Sequence, residues 1–227
     1  SAKGNADQMT QRVPHAIAAD YVFDGTVVRE RTAVIVDGSR IVDVVPTTEL
    51  PRTISIRTLP EGAWLAPGFI DVQVNGGGDV LFNDQPTMQG ACAIAAAHRK
   101  FGTTGLLPTL ITDSPEKMRL ALDAANAVVS REPGVLGLHL EGPYLSPEKP
   151  GAHNTRQIRR PCADDLAMLT APRNGVLLVT LAPEVVPPGF IAQLVAAGVR
   201  VSLGHSMASY RQTRAAMAEG LTGFTHL

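Results

Sequence analysis

The sequence predicts an α/β protein: a TIM-type (β/α)8 barrel lacking its last units at 66–227, behind a small N-terminal β-sandwich module at 1–65. Three observations carry this. After Ala66-Pro67-Gly68, apolar strand-like runs alternate with helical stretches. Before that point, short β-branched runs meet at Asp-Gly turns. Three of the later runs end on a Glu or a His, at the end of a strand where a parallel barrel gathers its functional side chains.

The first module is read from its turns. Tyr21-Val22-Phe23 runs into Asp24-Gly25, a type I′ hairpin signal, and a second strand is expected from Thr26. Ala33-Val34-Ile35-Val36 meets Asp37-Gly38, and Ile41-Val42-Asp43-Val44-Val45 follows. No cluster of catalytic residue types falls here, so the module reads as scaffold.

The barrel units follow in order. Strands are expected at 69–74, 104–111, 135–140, 176–181, 199–203 and 223–226. Helices are expected at 87–101, from Ser114-Pro115 onward, at 189–197 and at 210–219. Ser114 supplies an N-cap hydroxyl and Pro115 suits the first helical position. Met118, Leu122, Ala125 and Val129 then recur at helical spacing. Near-continuous apolar strands joined through helices imply a parallel sheet covered on its faces. A complete barrel needs about 250 residues, whereas about 160 follow Ala66. The expectation is therefore an incomplete barrel.

Composition excludes several classes of function. Apolar residues make up 44% and charged residues 18%, a balance that builds a folded core. The net charge of −1, with no basic run, provides no field for nucleic acid or anionic lipid. Two cysteines without close spacing, Cys92 and Cys162, suit reduced thiols and a cytoplasmic protein. No apolar run approaches a membrane span. The segment 1–12 is polar and unlike a secretory signal, and Met9 reads as a natural start.

The candidate chemistry lies in Gly137-Leu138-His139-Leu140-Glu141, Val201-Ser202-Leu203-Gly204-His205 and Gly223-Phe224-Thr225-His226. Glu141, His205 and His226 would stand at the ends of three strands. A Glu/His/His set leaves a fourth position open on Zn²⁺ or Fe²⁺ for water or substrate. His139, two residues before Glu141, shares its face of the strand and is expected to pack or hydrogen-bond inside the barrel. Gln73 and Asn75 stand at the end of the first barrel strand. Amides ligate such metals poorly, which argues for one metal rather than two. Gly76-Gly77-Gly78 allow close backbone approach but lack nucleotide-binding spacing. Gly204-His205-Ser206-Met207-Ala208 has a competing reading as a nucleophile elbow with Ser206, but little chain follows to supply an acid and a His. His15 and His98 have no supporting context.

Several motifs occur together and in order: Gly68-Phe69-Ile70-Asp71-Val72-Gln73-Val74-Asn75-Gly76, His139-Leu140-Glu141-Gly142-Pro143-Tyr144, Lys149-Pro150-Gly151-Ala152-His153-Asn154, Leu181-Ala182-Pro183-Glu184, Gly204-His205-Ser206 and Thr225-His226-Leu227. From about Ala19 onward the chain resembles the N-acetylglucosamine-6-phosphate deacetylases of the amidohydrolase superfamily. The resemblance implies hydrolysis of the acetamide of N-acetylglucosamine 6-phosphate to glucosamine 6-phosphate and acetate. It implies Glu141, His205 and His226 as ligands of one divalent metal ion, with Ala152 and His153 as substrate contacts. It further implies an enzyme that is a homodimer when full length. The family's proton-transferring Asp is expected beyond Leu227, as are residues that bind the substrate's phosphate. No catalytic residue is then expected within the chain, and the chain alone is expected to be inactive. The alternatives are a non-catalytic sugar-phosphate-binding remnant and another amidohydrolase. Retention of the metal ligands in one cluster separates the first of these from a deacetylase.

Overall fold

The computed structural model describes residues 13–226. The reading of Met9 as a start lies outside them. Contacts divide the chain into two compact units, Ser1–Pro67 and Gly68–Leu227.

In the first unit, β1 (His15–Phe23) pairs antiparallel with β2 (Val28–Asp37), and β2 with β3 (Arg40–Pro46). β4 (Ser55–Thr58) and β5 (Trp64–Leu65) both add to β1 in parallel. The described residues thus form one five-stranded mixed sheet where a sandwich was expected. Small residues line both of its faces. Ala16, Ala18 and Ala33 form one buried cluster, and Ala19, Val22 and Val34 another.

The two Asp-Gly turns differ. At the second, Asp37 pairs with Arg40 across a two-residue loop in which Gly38 takes φ +60°. At the first, the loop is longer and β2 starts at Val28 rather than Thr26. The Asp24 carboxylate accepts the Thr26 and Val27 N–H groups at 3.0 Å each, and its backbone N–H bonds to the Val27 carbonyl. An Asx turn replaces the expected type I′ turn because the side chain satisfies the loop's donors locally.

The second unit alternates strand and helix. β6 (Phe69–Val74) leads into a small hairpin of β7 (Gly76–Gly77) and β8 (Val80–Leu81). Then come α1 (Met88–Arg99), β9 (Thr103–Ile111), α2 (Pro115–Val128), β10 (Gly137–Glu141), α3 (Ala163–Thr170), β11 (Val176–Leu181), α4 (Phe190–Ala196), β12 (Arg200–Leu203), α5 (Tyr210–Ala218) and β13 (Gly223–Phe224). The main sheet has the order β13-β12-β11-β10-β9-β6, every pair parallel. Sheet order follows chain order without reversal, as in a segment of a barrel wall. The fold is therefore a partial (β/α) barrel.

Helix ends follow the predicted chemistry. The Thr87 and Ser114 hydroxyls accept the Gly90 and Lys117 N–H groups, and Pro115 opens α2. The core joins Ile94, Leu106, Leu110, Met118, Leu138, Leu140, Leu177 and Leu181, each at most 1% exposed. The last strand is shorter than expected, so His226 lies two residues past its end.

Candidate metal centre

β10 is buried along its whole length and ends on Glu141, which is 2% exposed. Gly142 follows at φ +82°, and a Cβ there would stand 2.2 Å from the Thr112 hydroxyl. Only glycine lets the chain turn off the strand this close to β9. Glu141 is thereby held at the C-terminal edge of the sheet, beside the ends of β12 and β13.

Three histidines converge on one oxygen of Glu141. From Oε1, His226 Nε2 lies at 2.7 Å, His205 Nε2 at 3.1 Å and His153 Nε2 at 3.6 Å. The other oxygen, Oε2, accepts from Gln73 Nε2 at 2.8 Å. Gln73 Nε2 also lies 3.5 Å from His226 Nε2. Burial opposes ionisation of Glu141. Hydrogen bonds from His153 and His226 and the neighbouring imidazoles outweigh it and hold the carboxyl at about 2. The carboxylate is charged throughout the neutral range.

Donor atoms of Glu141, His153 and His205 lie within 4.8 Å of one another, close enough to hold one cation. The imidazole partners separate their roles. His205 Nδ1 lies 2.8 Å from the Lys149 carbonyl, which can only accept, so Nδ1 carries the proton and the Nε2 lone pair faces Glu141. His153 Nδ1 accepts the Thr112 N–H at 3.2 Å, so in the neutral ring the proton sits on Nε2. The inward nitrogen of His153 is a donor, and that of His205 offers a lone pair. The donor set of a carboxylate and neutral imidazoles fits a divalent cation.

Beneath Glu141, His139 is 1% exposed and bonds Thr180 Oγ1 at 2.8 Å and Thr109 Oγ1 at 3.3 Å. Burial pushes its pKa down to about 4, against the nearby Glu141 charge, so the ring is neutral. A cavity of ≈ 380 Å³ is lined by Gln73, His139, Ser202, Thr225 and His226, among others.

All the predicted site residues are thus close together except Ala152, which is exposed in the turn before His153. His98 bonds the Gly76 carbonyl at 3.0 Å and stays outside the cluster. Ser206 does not form a nucleophile elbow. Its hydroxyl donates to Glu184 Oε2 at 2.7 Å, and no histidine pairs with it among the described residues. Sequence reasoning missed Thr112 and the Lys149 carbonyl, which set the two imidazole tautomers, and Gln73 as a donor to Glu141.

A parallel barrel wall with one carboxylate and several imidazoles at its C-terminal edge is an arrangement that can hold a divalent cation. No family model matches the chain. Among the curated homologues and structural neighbours it matches are amino-sugar 6-phosphate deacetylases, chiefly N-acetylglucosamine-6-phosphate deacetylases. It is 46% identical over 164 residues to the N-acetylgalactosamine-6-phosphate deacetylase of Shewanella sp. (strain ANA-3), covering 72% of this chain and 42% of that protein. It is 37% identical over 196 residues to the N-acetylglucosamine-6-phosphate deacetylase of Haemophilus influenzae, covering 86% of this chain and 51% of that protein. The crystal structure of the Pasteurella multocida N-acetylglucosamine-6-phosphate deacetylase matches with TM-score 0.88 and 34% identity, over 94% of this chain and 56% of that one. A Mycobacterium smegmatis D267A deacetylase in complex with N-acetyl-D-glucosamine-6-phosphate matches with TM-score 0.80 and 34% identity, over 95% and 56%. The chain spans about half the length of the relatives it matches.

Proposed function

We propose that the protein carrying this sequence hydrolyses the acetamide of an N-acetylhexosamine 6-phosphate, N-acetylglucosamine 6-phosphate in the first place, releasing acetate. The observation that carries this reading is the convergence of His205, His226 and His153 on one ionised oxygen of Glu141. Glu141, His205 and His226 are assigned as the ligands of a single Zn²⁺ or Fe²⁺. Such a cation supplies a Lewis acid that acidifies water and polarises an amide carbonyl. Gln73 fills the space beside Glu141 and His226 with an amide whose donor end faces inward, which favours one cation over two. His153 presents its Nε2–H toward the same centre, suited to a substrate oxygen, and Ala152 lies beside it on the loop. We further assign the protein to the cytoplasm, on the two widely spaced cysteines, and to a homodimer, on the resemblance to the deacetylases.

On the resemblance to the deacetylases, proton transfer to the leaving amine is assigned to an Asp. Among the described residues no carboxylate besides Glu141 bonds the three histidines. We therefore infer that this Asp lies outside the described residues.

The relative named for the galacto epimer favours a second substrate reading. Both are tested by assaying the full-length protein for acetate release from the gluco and galacto 6-phosphates, with and without a chelator. Release from at least one epimer, abolished by chelation and restored by Zn²⁺ or Fe²⁺, is expected. Release that survives chelation, or none from either epimer, overturns the proposal.

A further inference from the structure

A chain of side-chain hydrogen bonds crosses the sheet directly beneath the cluster. Thr109 on β9 lies 3.3 Å from His139 Nδ1 on β10, and His139 Nε2 lies 2.8 Å from Thr180 Oγ1 on β11. Thr180 Oγ1 continues to Thr225 Oγ1 at 2.9 Å, and Thr225 Oγ1 to Ser202 Oγ on β12 at 2.8 Å. At the far end, Thr109 Oγ1 accepts the Val74 N–H of β6 at 3.0 Å. The chain therefore reaches five strands and the residue that follows the sixth. Thr109 and Thr180 are fully buried and Ser202 is 4% exposed. A barrel interior is ordinarily filled by branched apolar side chains, so five linked polar groups there need a reason beyond packing.

The reason lies in what the chain touches. Thr225 immediately precedes His226, whose side chain is half exposed and whose backbone takes φ +59°. Thr180 and Thr225 also press on Gly204, the residue before His205. A Cβ on Gly204 would stand 2.5 Å from Thr180 Cγ2 and 3.0 Å from Thr225 Cβ. The same threonine pair thus bears on both histidine-carrying strand ends, while His139 anchors it two residues from Glu141.

We propose that Thr180 and Thr225 are positioning residues that set His205 and His226 against Glu141, acting as one unit through the His139 hydrogen bond. This rests on the reading of Glu141, His205 and His226 as cation ligands. Each hydroxyl can both donate and accept, so Thr180 bridges His139 to Thr225 whichever way the bonds run. Replacing either hydroxyl by a methyl breaks the same connection.

The test measures the Zn²⁺ affinity of the metal-stripped protein by competition with a chromophoric chelator. Thr180→Val and Thr225→Val are each expected to weaken binding about 10–100-fold, as loss of support around a metal ligand does. The double variant is expected to be no weaker than the weaker single one, because residues acting through one connection are non-additive. Thr180→Ser and Thr225→Ser keep the hydroxyl and are expected to bind within about threefold of the parent. They also decide the matter if a valine variant does not fold, since weak binding by a folded serine variant refutes the role of the hydroxyl. Valine variants with unchanged affinity, or singles whose effects add, overturn the proposal. A parent protein that binds no Zn²⁺ overturns instead the ligand assignment on which it rests.

Discussion

At the scale of single residues, the site depends on glycines as much as on ligands. Gly204 has no side chain because Thr180 and Thr225 occupy the space a Cβ would need. Gly204→Ala is expected to cost about 1–3 kcal/mol, as overpacking does, and to weaken cation binding by displacing His205. Denaturant unfolding and chelator competition on one preparation check both effects, and an unchanged midpoint with unchanged affinity would contradict them. Residues differ in how far the sequence reveals them. Glu141, His205 and His226 each close an apolar run, so periodicity alone marks them as strand-end groups. The proton on His153 is set by Thr112, 41 residues away, and the second oxygen of Glu141 by Gln73, 68 residues away. Such pairings depend on sheet order and register, which no local pattern encodes.

At the scale of elements, the strands at Phe69–Val74 and Val176–Leu181 match the expected bounds because the first alternates apolar with polar residues from Ile70 and the second is nearly continuously apolar. α3 was not expected. It is eight residues long, begins after Cys162 rather than a strong capping residue, and shows too few apolar positions for a clear stripe. The Asp165 carboxylate supplies what the sequence pattern lacks. Its Oδ2 accepts the Cys162 N–H at 2.8 Å, and it forms a two-pronged ion pair with Arg159. Arg159 in turn lies over the Tyr144 ring at 5.4 Å and bonds the Pro143 carbonyl through its backbone. This ties α3 to the loop that leaves Glu141.

Burial opposes ionisation of Asp165, but the Arg159 bonds and the Cys162 N–H outweigh it and hold the carboxyl at about 2, below its ordinary 3.8. A depressed carboxyl pKa stabilises the fold above its unfolded value, and that stabilisation is lost as pH falls from about 4 to about 2. Asp165→Asn is expected to lower stability at pH 7 by about 2 kcal/mol and to flatten the pH dependence in that window. Unfolding midpoints at pH 7 and pH 3 check this, and equal acid sensitivity of parent and variant would contradict it.

At the scale of the whole molecule, the order β13-β12-β11-β10-β9-β6 makes the chain a continuous stretch of barrel wall with its functional edge assembled. Alternating strands and helices made that class readable from sequence. The first unit was less readable, since hairpin signals give strand pairs without saying whether they stack in one layer or two. Among the described residues no helix is long and apolar enough to cross a membrane. The proposed chemistry requires Glu141, His205 and His226 to form one cation site. Its most direct test is the number of Zn²⁺ ions bound per chain, measured by elemental analysis after dialysis, for the parent and for Glu141→Gln, His205→Asn and His226→Asn. The account predicts one ion per parent chain and its loss in each variant. Two ions per parent chain, or one ion retained without His226, would contradict it.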